Sequence, residues 1–274
     1  MKIVFVGPSI GGSRRMLQKR FPGLIFAPPA GCGDILRAVE YGAKAIGLID
    51  GFFGDRPSVW HKEILFALSR GLMICGGASM GALRAVECQP FGMIGIGKIF
   101  TYYMDGKLTD DEAVALIHAP EELDWLPLSV PRVDYEATFE RLSSLDLISA
   151  NERERLLLTA GYIHYSRRTY RSIVAACAFL DEHRKRWLLA AIENWKVELK
   201  RADANLVIEW LDANEKAAPK SPWAFAATSH WEILRREMSQ EQQTVRQPRL
   251  NGPGSAMDND TYQRLTLNSP LAGV

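Results

Sequence analysis

Two stretches of this 274-residue chain fit the pattern G-x-S-x-G: Gly7-Pro8-Ser9-Ile10-Gly11 and Gly77-Ala78-Ser79-Met80-Gly81. Flanking glycines of this kind let a strand turn sharply into a helix and push the serine hydroxyl outward, where it can attack a carbonyl carbon. For Ser79 the next backbone N–H, that of Met80, would help bind the resulting oxyanion, and a helix N-terminus behind it would favour the negative charge. The alternative is that Ser79 caps the helix and the glycines serve close packing. His61 is the only histidine expected at the same edge; at a helix start the macrodipole favours the neutral imidazole that a general base needs. The alternative there is an exposed surface histidine. Asp50 could orient His61 or, followed by Gly51, form an ordinary Asp-Gly turn. The order Asp, His, Ser is one that catalytic triads tolerate. Lys62 and Arg84 could attract an anionic group, and the small residues Gly77, Ala78 and Gly81 would leave room for a substrate backbone beside Ser79.

An alternating framework has to bring these residues together. Lys2 to Val6, Leu24 to Ala27, Ala43 to Asp50 and Leu72 to Cys75 are short apolar runs. Between them lie the helix-like stretches "SRRMLQKRF", "GDILRAVEYG" and "SVWHKEILFALSRG", the last with Ser58 to cap it and Gly71 to stop it. Continuous apolar strands alternating with helices predict an α/β fold, a Rossmann-like parallel sheet with helices on both faces. Ser9, Asp50, Gly51, His61 and Ser79 then leave one rim, the carboxyl ends of the strands, where such sheets bind ligands. "GMIGIGKIFTYY" reads as a fifth strand running into a helix or lid, and "TDDEAVALIHA", with Thr109 and Glu112 at capping-box spacing, as a helix. Strand signals vanish after Val133. The chain divides on this reading into an α/β core over 1–133, a mainly helical C-terminal region over 134–240 and a polar tail over 241–274 that reads as disordered. Trp187, Trp195, Trp210, Trp223 and Trp231 are expected to pack between helices rather than to stack on bases.

Bulk properties narrow the classes. A net charge of +1 gives no global field for nucleic acid or membrane. The apolar start "IVFVG" is too short for a signal-peptide core, and no run could span a bilayer. Cys32, Cys75, Cys88 and Cys177 lack C-x-x-C spacing, so a reduced, cytoplasmic protein without structural zinc is expected. "GPSIGGS" could nest a phosphate, but G-x-x-x-x-G-K-[ST] is absent, and no cofactor is expected. H-E-x-x-H and H-x-x-x-H are absent as well, so no metal is expected.

"IGLIDGFFGDRPSVWHKEILFALSRGLMICGGASMGALRAVE", followed by "FGMIGIGKIFTYYMDGKLTDDEAVALIHA", resembles the TfuA-like proteins over roughly residues 44 to 133, with "GPS" at 7–9 and "PPA…GD" at 28–34 also fitting. The resemblance implies a partner of a YcaO-type cyclodehydratase in peptide backbone thioamidation. It further implies supply of sulfide by hydrolysis of a thiocarboxylated, ThiS-like sulfur-carrier protein, with the precursor peptide as a further partner. A carrier of this type ends in Gly-Gly, which a slot lined by Gly76, Gly77, Ala78 and Gly81 could admit. Ser79 would attack the thiocarboxylate carbon, with His61 as base. The rival expectation is a non-catalytic adaptor that binds YcaO and precursor peptide and docks through the helical half.

Overall fold

The computed structural model describes residues 1–52, 54, 56–214 and 223–245, with side chains as far as Met238. In chain order the strands are β1 (Lys2–Phe5), β2 (Leu24–Ala27), β3 (Ala45–Leu48), β4 (Met73–Gly77) and β5 (Ile94–Ile96). The helices of the first half are α1 (Arg14–Arg20), α2 (Asp34–Glu40), α3 (His61–Ser69), α4 (Met80–Cys88) and α5 (Lys98–Met104). The second half contributes α6 (Arg132–Ser144), α7 (Ala150–Gly161), α8 (Tyr170–Ala176), α9 (Glu182–Trp195), α10 (Leu199–Ala213) and α11 (Ser229–Val245).

The strands form one parallel sheet in the order β2-β1-β3-β4-β5. Strand residues are apolar on both faces because both are covered. Ile3, Phe5, Ile46, Leu48 and Ile74 meet α2, α3 and α4 through residues such as Ile35, Ile64 and Ala85. Val4, Val6, Ala45, Ile49 and Cys75 face the other way, against Leu17 and Phe21 around α1 and against Ala204, Val207, Ile208 and Leu211 of α10. Each of those large α10 side chains, fully buried, contributes about 1.5–3 kcal/mol. The sheet core is therefore shared across the expected boundary at residues 133/134. The helices α6 to α9 gather a separate core around Phe139, Leu156, Ile173 and Leu188. Trp231, Leu234 and Met238 of α11 pack on Leu36 and Phe66.

The tryptophans divide between packing and surface: Trp231 is buried, whereas Trp187 and Trp195 are partly exposed beneath Arg184 and Arg141. The expectation of a disordered tail falls outside the described residues from 246 onward.

Two local expectations are corrected. The helix at "SVWHKEILFALSRG" begins at His61 and not after Ser58, because the Glu63 carboxylate accepts the Trp60 N–H at 3.1 Å and fixes the first turn there. At "TDDEAVALIHA" there is one 3-10 turn, Asp111–Val114, capped by Asp110, whose Oδ1 accepts the Ala113 N–H at 3.1 Å. The Val114 carbonyl, which a continuing helix would use, accepts instead from Lys200 Nζ at 2.8 Å, and Ala115 is extended. Below the sheet's rim, Asp203 of α10 caps α5 by accepting the N–H groups of Lys98 at 3.0 Å and Ile99 at 2.7 Å.

Candidate active site

The strand order reverses between β1 and β3, and the crevice outside their carboxyl ends is the favoured ligand position of such a sheet. β1 leads through Gly7 into a 3-10 turn, Pro8–Ile10, that carries Ser9, and β3 leads to Asp50. Asp50 is 1% exposed. Its Oδ2 accepts the backbone N–H groups of Gly7 at 2.8 Å and Ser9 at 3.0 Å, and its Oδ1 accepts the Ser9 hydroxyl at 2.7 Å. A carboxylate held at three points has a fixed orientation, and the bond to Ser9 is the one that could draw off a hydroxyl proton.

Lys200, in the first turn of α10, enters the same crevice and is 3% exposed. Burial lowers its pKa from the ordinary lysine value, against the opposing pull of Asp50 and Asp134. Asp134 on α6 accepts the Lys200 backbone N–H at 3.0 Å and is itself pushed up to about 6, chiefly by burial. Pro8, Ser9, Ser129, Asp134, Tyr170 and Lys200 are among the walls of a cavity of about 240 Å³.

Ser79 arrives at the same edge from β4. Ala78 has φ +65°, a left-handed conformation that costs a residue with a Cβ about 1 kcal/mol. Ser79 occupies the N-cap position of α4, yet its side chain makes no capping hydrogen bond. The Met80 N–H has no acceptor among the described residues. The glycines around it do serve packing. A Cβ on Gly81 would overlap the Leu48 carbonyl, and one on Gly77 would overlap the Ile96 carbonyl. One on Gly76 would overlap the Gly81 carbonyl, and Gly51 packs against Met80. The slot expected beside Ser79 is thus filled by neighbouring chain. Ser79 is 3% exposed and lines neither described cavity.

The structure does not join His61 to Asp50 or to Ser79. His61 Nε2 lies 2.7 Å from Glu87 Oε2, and Arg84 Nη1 lies 2.6 Å from the same oxygen. Glu87 is about 12 Å along α4 from Ser79 at the helical rise of 1.5 Å per residue. Burial pushes the Glu87 carboxyl up, but His61 and Arg84 outweigh it and hold the group below its ordinary value. Arg84 also donates to the Val59 carbonyl at 2.8 Å and the Ser58 hydroxyl at 3.2 Å. Its charge is therefore committed on the far side of α4. Together with Arg56, Ser58, Met80 and Glu87 it borders a second cavity of about 290 Å³. Lys62 donates to the Ala226 carbonyl at 2.7 Å.

Sequence reasoning passed over Lys200, Asp134 and Glu87. A signal for the first exists: Lys200, Ala204, Val207, Ile208 and Leu211 share the apolar stripe of one helix, so a lysine stands where a core residue belongs. Cys75 is buried and its thiol is pushed up to about 12, which leaves it inert as a nucleophile. Among the described residues no group of His, Cys, Asp and Glu side chains is arranged to hold a metal ion, and no helix is long and apolar enough to cross a membrane.

Among curated proteins the chain has no match. Residues 50–169 match the family described as TfuA-like protein. The matched stretch holds Asp50, His61, Ser79 and Asp134, while Ser9 and Lys200 lie outside it. Over that stretch the chain is similar to the TfuA-like family, which is associated with YcaO partners in peptide thioamidation.

Proposed function

We propose that the protein acts in the YcaO-associated thioamidation system as a serine-dependent hydrolase that frees sulfide from a thiocarboxylated ThiS-type carrier. The observation that carries this reading is the 2.7 Å hydrogen bond from the Ser9 hydroxyl to Asp50, with Ser9 on the wall of the cavity that Lys200 also lines. Ser9 attacks the thiocarboxylate carbon while its hydroxyl proton passes to Asp50. The tetrahedral intermediate collapses with transfer of that proton to sulfur, and HS⁻ leaves an acyl-serine. Water, giving a proton to Asp50, then cleaves the ester, and the proton returns to the Ser9 oxygen. The sum is thiocarboxylate plus water giving carboxylate plus hydrogen sulfide.

A second assignment of the nucleophile rests on Ser79, favoured by its uncapped hydroxyl and the free Met80 N–H beside it. Sulfide release from the thiocarboxylated carrier by the wild type, Ser9→Ala and Ser79→Ala decides between them. Loss of at least about a hundredfold is expected for the nucleophile. Equal activity in the wild type and both variants would rule out Ser9 and Ser79 as the nucleophile. The adaptor reading is favoured by the apolar side chains Leu123, Leu126 and Leu128, exposed on one loop, and it gains first place if the wild type releases nothing while still enhancing YcaO.

A further inference from the structure

The helical half enters the crevice through one side chain. Lys200 is buried, lines the cavity beside Ser9, and has three protons to donate, of which the Val114 carbonyl takes one. It makes no ion pair with a carboxylate among the described residues. The two acids nearest in charge are otherwise engaged. Both Asp50 oxygens are held by Gly7 and Ser9, and Asp134 accepts backbone N–H groups at the start of α10. A buried ammonium with spare donors is costly unless something pairs with it. Lys200 is itself one of the residues that line the open space of the cavity.

We propose that Lys200 is the anion-recognising residue of this pocket, receiving the carboxylate or thiocarboxylate end of an acyl substrate and presenting its carbon to Ser9. This rests on the hydrolase reading for the identity of the acyl group, though not for the presence of an anion site. Attack on an already anionic acyl group needs positive charge close by, and Arg84 and Lys62 are committed elsewhere. Arrival of the anion would favour the charged lysine that burial disfavours.

The test compares binding of a ThiS-type carrier ending in an ordinary carboxylate with the same carrier amidated at its C-terminus. The wild type should prefer the carboxylate at least tenfold. Lys200→Met should lose that preference, and Lys200→Arg, which keeps the charge, should retain most of it. In the wild-type protein, the Lys200 Nζ resonance, assigned by its absence from Lys200→Arg, should shift with the carboxylated carrier and stay in place with the amidated one; this arm stands even if Lys200→Met does not fold. Equal affinity of the wild type for the two carriers, an unmoved Nζ resonance, or a preference preserved in Lys200→Met overturns the assignment. Sulfide release without carboxylate preference would remove the anion site and leave the hydrolase. Preference without sulfide release would support the site and remove the hydrolase.

Discussion

Asp50 meets Ser9 through one oxygen and two backbone N–H groups through the other, so an amide in its place tests chemistry more than folding. In Asp50→Asn the amide oxygen can still accept from Gly7 and Ser9, while the NH₂ now donates toward the Ser9 hydroxyl. The bond survives with its polarity reversed, and the proton acceptor is gone. Sulfide release should fall by about 10²–10⁴-fold with the melting temperature little changed; retained activity would place the base elsewhere. The sequence displayed Ser9, Asp50 and Ser79 openly, since glycine-flanked serines and strand-end acids are local patterns. It hid the pairing. His61 and Glu87 meet across two helices, and no spacing along the chain announces a contact between α3 and α4.

At the scale of elements, the first turn of α3 is built on a buried acid. Glu63 accepts N–H groups from Trp60 at 3.1 Å and from Leu36 at 3.4 Å, and burial raises its pKa from 4.5 to about 7. A raised carboxyl in the folded state means that the native protein binds more protons than the unfolded chain between those two values. Stability from this group is complete below about pH 4.5 and is lost as the pH rises through about 7, by about 3 kcal/mol at most. Glu63→Gln, neutral throughout, should flatten that decline when denaturant midpoints are measured from pH 4.5 to 8. An unchanged slope would assign the decline to other groups. Strand positions were legible here because each is a short apolar run closed by glycine, proline or acid. The helix expected at "TDDEAVALIHA" failed because the cap forms at Asp110 instead of Thr109 and the Val114 carbonyl is taken by a lysine far along the chain.

On the scale of the whole molecule, α10 is both the lid of one sheet face and the carrier of Lys200. Leu211→Ala should therefore lower global stability by about 2–5 kcal/mol, and β3 amides should lose exchange protection together with those of α10. Independent loss of α10 protection, with β3 unchanged, would mean that the helix is an accessory. The alternation of the first hundred residues made the sheet readable, but the return of α10 was not, because an amphipathic helix declares that it has a partner without saying which. The same return governs the order of assembly on the ribosome. β1, β3 and β4 are synthesised long before Val207, Ile208 and Leu211 emerge to cover Val4, Ile49 and Cys75. Until then the nascent chain leaves one sheet face covered only on the α1 side by Leu17 and Phe21, while α6 to α9 can already close around their own core. The middle of the chain is thus free to fold ahead of the beginning, and the beginning must wait, exposed to aggregation or to chaperones, for residues near its far end.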